Sequence, residues 1–224
     1  MKTEGIIIRI TKIEVNGKNN RVYSLYSDDI FLFEITEDTL VHFGISKDKS
    51  YRDGDLEKIL NHDLVTRGLQ QAYRYLSRRP HLQSELRRKL LQKSYTKPVI
   101  EKVLKILMDK NYINDDEFIR LFFKDEVNNK KSGPLLIKKK LIEKGASAAD
   151  VDEIVNHLYT DELEFENALA VMEKKSAKYS DPDHQKVKQK TIRFLQQKGF
   201  TWQAIGHALQ HLPLPDSTDE QDGC

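Results

Sequence analysis

Ile137-Lys138-Lys139-Lys140-Leu141-Ile142-Glu143-Lys144-Gly145, followed after a short break by Val151, Ile154, Val155 and Leu158, is the stretch whose reading decides the fold. Apolar residues four apart mark one helix face, and Gly145 supplies the left-handed residue that ends such a helix. The i, i+3, i+4, i+7 set that follows marks a second helix. The same pattern stands 51 residues earlier as Leu86, Leu90, Lys93, Ser94, Ile100, Val103, Leu104 and Leu107. It stands again 54 residues later as Thr191, Leu195, Lys198, Gly199, Ile205, Ala208, Leu209 and Leu212. Only Thr191 breaks the apolar match. Eight spaced positions agreeing twice over identify an internal repeat.

Each repeat has a physical reading. Thr96, Ser147 and Thr201 stand where an N-cap belongs, and Ser147 with Asp150 makes a capping-box pattern. Pro98 sits in a first helical turn, where a missing N–H costs little. Ser94 fills the helix-ending place less well than Gly145 or Gly199. One more helix precedes each pair, at about 64–78, 115–128 and 162–178. A three-helix module of this size builds little core alone and should stack on its neighbours. The first fifty residues differ: Ile6–Ile10 and Ile13–Val15, the turn Asn16-Gly17, the alternating Arg21–Tyr26 and then Ile30–Ile35 predict a small antiparallel meander, with a short helix near 36–43. The expected fold is mostly α: three tandem three-helix modules in an elongated curved array with a small N-terminal β-meander extension. The expected divisions are 1–54 for the β-rich extension, 55–112, 113–160 and 161–212 for the modules, and 213–224 for an acidic, disordered tail.

Hydrophobic residues make up 38% of the 224 and charged residues 32%, which favours thin modules over one thick core. No apolar run approaches the roughly 18 residues of a membrane span, and the short Ile6-Ile7-Ile8 run does not read as a signal peptide. Cys224 is the one cysteine, so no disulfide framework exists and a cytoplasmic location is expected. The search for catalytic chemistry is negative. Gly17-Lys18 reads as a hairpin turn rather than part of a phosphate loop. His207 and His211 have metal-ligand spacing but no third ligand, and read as ordinary flank histidines. Asp115, Asp116 and Glu117 favour a helix N-terminus electrostatically and are read so. No enzyme activity, cofactor or metal is expected.

Charge is segregated along the chain. Residues 1–66 hold 9 Lys/Arg against 12 Asp/Glu, whereas residues 67–112 hold 12 against 3. Arg87-Arg88-Lys89 lies between Leu86 and Leu90, and Lys138-Lys139-Lys140 lies in the same register between Ile137 and Leu141. With the leucine-side positions buried, the first two members of each triplet are expected to point away from the core. The third module keeps only Arg193, between Ile192 and Phe194. Adding Arg74, Arg78 and Arg79 before the first triplet and Lys130-Lys131 before the second gives a positive strip suited to an acidic surface or a phosphate backbone. A solvated helix face is the plain alternative, with Lys93, Lys144 and Lys198 complementing helix C-termini. A helix–turn–helix reader of duplex DNA is disfavoured: the second helix of each later pair, at 148–158 and 202–211, carries no Lys or Arg.

Arg78-Arg79-Pro80 through Leu90, the junction Lys110-Asn111-Tyr112-Ile113-Asn114-Asp115-Asp116-Glu117-Phe118, and Gly133 through Leu141-Ile142-Glu143-Lys144-Gly145 together resemble the bacterial RecX regulatory proteins. The likeness covers about residues 5–212. It implies a non-enzymatic regulator of homologous recombination and the SOS response that binds the RecA filament on single-stranded DNA. Such a protein lies in the filament's groove and inhibits its ATPase and strand exchange. A monomer is expected, with weak binding of duplex DNA beside the single strand and no membrane partner. Tyr112, Asp116, Phe118, Gly133, Leu141, Lys144 and Gly145 carry over as module framework only. Ser94-Tyr95 and the acidic tail depart from the family pattern. The contacts to RecA or DNA rest on the charge argument: Arg74, Arg78, Arg79, Arg87, Arg88, Lys89, Lys130, Lys131, Lys138, Lys139, Lys140 and Arg193. A free-standing DNA-binding protein and a helical adaptor are the competing readings. Aromatic platforms for single strands are not evident in the sequence, with Trp202 as the exception.

Overall fold

The computed structural model describes residues 6–17, 19–177 and 183–212, so the acidic tail and Cys224 lie outside the described residues. The chain forms two compact units that part between Ile113 and Asn114.

In the first unit, β2 (Lys12–Asn16), β3 (Asn19–Ser27) and β4 (Ile30–Thr36) form the expected antiparallel meander. A second, two-stranded sheet was not foreseen: β1 (Ile7–Arg9) pairs with β5 (Ser50–Arg52). Between them, α1 (Glu37–His42) is capped by the Thr36 hydroxyl, which accepts from the Thr39 N–H at 3.4 Å. The helix expected from 64 begins instead at 53, as α2 (Asp53–Leu76). Its extra turns carry Leu56 and Ile59, which pack with Ile10, Leu25, Ile35 and Ile45 of the β region. Its later turns carry Ala72 into a separate core with α3 (Gln83–Leu91) and α4 (Lys97–Asp109). One helix therefore serves two cores. Asp63 sits between them, 3% exposed, accepting from the Thr36 N–H (2.7 Å), the Thr36 hydroxyl (2.8 Å) and Arg67 Nε (2.6 Å). Arg67 also donates to the Glu34 carbonyl at 3.2 Å, so a buried carboxylate held by three donors ties helix to sheet.

The second unit holds α5 (Asp115–Asn128), α6 (Pro134–Lys144), α7 (Ala148–Leu158), α8 (Asp161–Ser176), α9 (His184–Gln197) and α10 (Trp202–Gln210). Starts of equivalent helices keep the sequence offsets: Lys97, Ala148 and Trp202 open α4, α7 and α10. Ser94, Gly145 and Gly199 all take positive φ, at 63°, 98° and 80°. The same bond follows each, from Tyr95, Ala146 and Phe200 N–H back to the carbonyls of Leu90, Leu141 and Leu195. This is a glycine-type helix ending, with serine bearing it once. Thr191, the polar exception, is fully buried and donates its hydroxyl to the Val187 carbonyl at 2.9 Å, which is how it lies in an apolar place.

Two expected caps are corrected. Thr201 accepts from the Ala204 N–H, but neither Thr96 nor Ser147 makes a side-chain cap bond, so the Ser147–Asp150 pattern does not form a capping box. In the second unit the N-terminus of α6 is satisfied by another helix. Gly133 N–H donates to the Lys198 carbonyl (2.8 Å) and Leu135 N–H to the Gly199 carbonyl (3.0 Å). Orphan donors of one helix thus meet orphan acceptors of another. The approach is too close for side chains: a Cβ at Gly133 would lie 2.4 Å from Gly199, and one at Gly199 would lie 2.2 Å from Leu136 N.

Candidate nucleic-acid interface

The leucines that anchor α3 and α6 set the basic triplets at the surface, but not as two free positions and one covered. Arg87 and Lys138 are half-buried and each braces its own module. Arg87 pairs with Glu101 of α4, and Lys138 pairs with Asp152 of α7 at 2.7 Å while donating to Asn156 at 2.8 Å. Glu101 and Asp152 are themselves 51 residues apart, so the brace repeats with the module. The expectation that the first two members of each triplet point away from the core is therefore corrected: the first lies across a helix–helix seam.

The third members are also engaged. Lys89 lies 3.6 Å from Glu85 and 4.8 Å above the Tyr75 ring. Lys140 donates at 2.6 Å to Glu126, a carboxylate 1% exposed that also binds Lys130 (2.8 Å) and the Ser132 hydroxyl (2.7 Å). Burial pushes the Glu126 carboxyl up, but Lys130, Lys140 and Ser132 outweigh it and hold the group below its ordinary range. Lys130 is further paired with Asp125 at 3.0 Å. Arg79 forks onto Glu85 at 3.0 and 2.5 Å. Buried His81 lies 3.7 Å from Glu85, its pKa lowered chiefly by burial.

What faces solvent is the middle position of each triplet and its equivalent in the third module. Arg88, Lys139 and Arg193 are exposed, and they are equivalent residues of the three modules, 51 and 54 positions apart. Lys139 has only a loose contact to Glu143 at 3.9 Å, and Arg88 and Arg193 have no carboxylate partner among the described residues. Arg74, Arg78 and Lys131 are exposed in the same way. Of the twelve expected contact residues, these six present their charge outward, and Arg79, Arg87, Lys89, Lys130, Lys138 and Lys140 spend theirs on internal carboxylates. Sequence reasoning missed Lys174 and Lys175 and read Lys198 as a helix-end complement. In the second unit all three gather beside Lys130 and Lys131. The signal available was the Lys174-Lys175 pair in the last turn of α8.

Other singled-out residues have structural places. His207 stacks on Phe165 at 4.6 Å, and Lys144 lies 5.5 Å over the Phe122 ring. Tyr112 meets Tyr73 edge-on at 5.1 Å, and Trp202 is 69% exposed. Among the described residues no group of three His, Cys, Asp or Glu could hold a metal ion, and no helix is long and apolar enough to cross a membrane.

Comparison with known proteins matches residues 161–209 to the RecX third three-helix domain and residues 69–107 to the RecX first three-helix domain. The regulatory protein RecX of Listeria monocytogenes (serotype 4a) is 30% identical over 216 residues, covering 95% of this chain and 80% of that protein. The regulatory protein RecX of Lactococcus lactis subsp. cremoris is 33% identical over 216 residues, covering 94% of this chain and 80% of that one. The crystal structure of RecX from Lactobacillus salivarius superposes with a TM-score of 0.64 at 27% identity, over 67% of this chain and 97% of that one. A further crystal structure of a regulatory protein RecX shares the fold at TM-score 0.72 and 24% identity, over 91% and 99% of the two chains.

Proposed function

Because this chain belongs to the RecX family of regulatory proteins, we propose that it binds the RecA–single-stranded DNA filament and restrains its ATPase and strand exchange without catalysing a reaction itself. The observation that carries this reading is the exposed cation repeated once per module, at Arg88, Lys139 and Arg193. A repeated partner, such as a filament of identical subunits on a regular phosphate backbone, is what a repeated single charge suits. Arg74, Arg78 and Lys131 extend the contact set, and the internally paired cations hold the modules in shape. The protein acts as a cytoplasmic monomer, with 55–112, 113–160 and 161–212 as its three contact modules.

The test is the single-stranded-DNA-dependent ATPase rate of the host RecA with increasing amounts of this protein. A fall at amounts well below one per RecA subunit is the expected result. No change, or a fall only when the protein is sufficient to coat all the DNA, would instead indicate a free-standing DNA-binding protein.

A further inference from the structure

In the second unit, the segment after α5 and the facing sides of α8 and α9 enclose an open notch of about 270 Å³. Lys130, Lys131, Lys174, Lys175 and Lys198 line it, Phe194 and Val171 give it an apolar wall, and no carboxylate is among its lining residues. Two of the lysines are positioned by contacts within the unit. Lys198 Nζ donates to the Lys130 carbonyl at 3.2 Å, and Lys175 Nζ lies 5.0 Å over the Phe194 ring. Lys130 is partly neutralised by Asp125 and Glu126, which bind it from outside the notch. Lys131 and Lys174 are exposed at its mouth. Like charges gathered in this way repel one another unless an anion lies among them.

The backbone adds an independent observation. Lys131 has φ +50°, a conformation that a side chain makes costly and a glycine would adopt freely. The turn is required, because it returns Ser132 N–H to the Glu126 carbonyl (3.0 Å) and leads Gly133 N–H to the Lys198 carbonyl (2.8 Å). A lysine held in a glycine's conformation at the mouth of a lysine-lined notch points to a role for its charge.

We propose that this notch binds the phosphodiester backbone of single-stranded nucleic acid, with Phe194 and Val171 against a sugar or base. The assignment rests on the filament reading above, since that filament is where the protein would meet a single strand. Ammonium groups are point charges that donate to phosphate oxygens from several directions, whereas a carboxylate-bearing peptide is matched best by arginine forks, and no arginine lines the notch. The open, one-sided space suits an unstacked strand passing through it and not a duplex.

The experiment is anisotropy of a labelled oligothymidylate with the full chain and no RecA present. Lys131→Gly removes the charge and relieves the backbone, so its urea midpoint should equal or exceed that of the parent. Its oligomer affinity should fall about fivefold at low salt, with the slope of log K against log salt shallower by about 0.7. Lys174→Ala should behave likewise. Phe194→Leu should weaken binding without altering the slope. Parental affinity and slope in both lysine variants overturn the proposal. Tripolyphosphate binding as tightly as the oligomer, together with no effect of Phe194→Leu, also overturns it and makes this a site for free phosphates. The two readings separate cleanly: if the lysine variants lose oligomer binding but the parent leaves RecA ATPase unchanged, the notch stands and the filament reading falls. Conversely, if the parent inhibits the ATPase and the variants keep full oligomer affinity, the filament reading stands without the notch.

Discussion

Ser94 bears a side chain where its two equivalents are Gly145 and Gly199, yet all three hold the left-handed conformation and close the same backward hydrogen bond. Such a conformation costs a non-glycine residue roughly 1–2 kcal/mol, so Ser94→Gly is expected to raise stability by about 1 kcal/mol in urea unfolding. Two buried carboxylates of the second unit give opposite pH signatures. Glu126 is held below its ordinary value of 4.5, so its contribution is complete above that value and is lost as pH falls through the lowered one. Glu164 is raised, chiefly by burial and against its bonds from Thr201, so its contribution is present below 4.5 and lost as pH rises through the raised value. Urea midpoints measured from neutral pH downward should therefore drop less steeply for Glu126→Gln than for the parent, and more steeply for Glu164→Gln. Identical profiles for all three proteins would mean that neither group is linked to folding.

At the scale of elements, the repeat was legible because core positions recur at fixed offsets and apolar periodicity is a local signal. The start of α2 was not, because its first turns, from Asp53, are stabilised by strands distant in sequence. Cap bonds at Thr96 and Ser147 failed for a related reason: a capping residue is only a competence, which neighbouring packing leaves unused. The triplets were legible as basic but not as braces, since Glu101 and Asp152 meet them across a helix pair rather than along one helix. The lysine notch brings together three separated segments, and no spacing rule reports that. Gly133 shows how much one such contact carries. An added Cβ would lie 2.4 Å from Gly199 and force α6 from the end of α9, with loss of two backbone bonds. Gly133→Ala should cost about 2–4 kcal/mol in urea unfolding. Gly206→Ala is the control of opposite sign: a Cβ there meets nothing within 4 Å, and alanine in a helix gains about 0.5–1 kcal/mol over glycine.

Taken across the whole molecule, the exposed cation of each module is a separate test of whether the repeat is functional or only architectural. Arg88, Lys139 and Arg193 occupy one position in three modules, and they are exposed while the residues on either side of each are half-buried. A residue that serves packing alone would be free to vary in charge on such a face. Replacing any one by alanine should leave the unfolding free energy within about 0.5 kcal/mol of the parent, as for surface substitutions that break no partner. Under the proposed function, each should nevertheless weaken inhibition of the RecA ATPase, by about threefold if each supplies one screened contact of roughly 0.6 kcal/mol. The triple variant should then lose about 30-fold if the three contacts are independent and add. Arg87→Ala and Lys138→Ala should show the reverse, with lowered stability and near-parental potency at temperatures where they remain folded. The decisive comparison is the pattern and not any single value. Loss confined to one of the three positions would place the contact on one module, and equal loss from braces and exposed cations would reduce the effect to net charge.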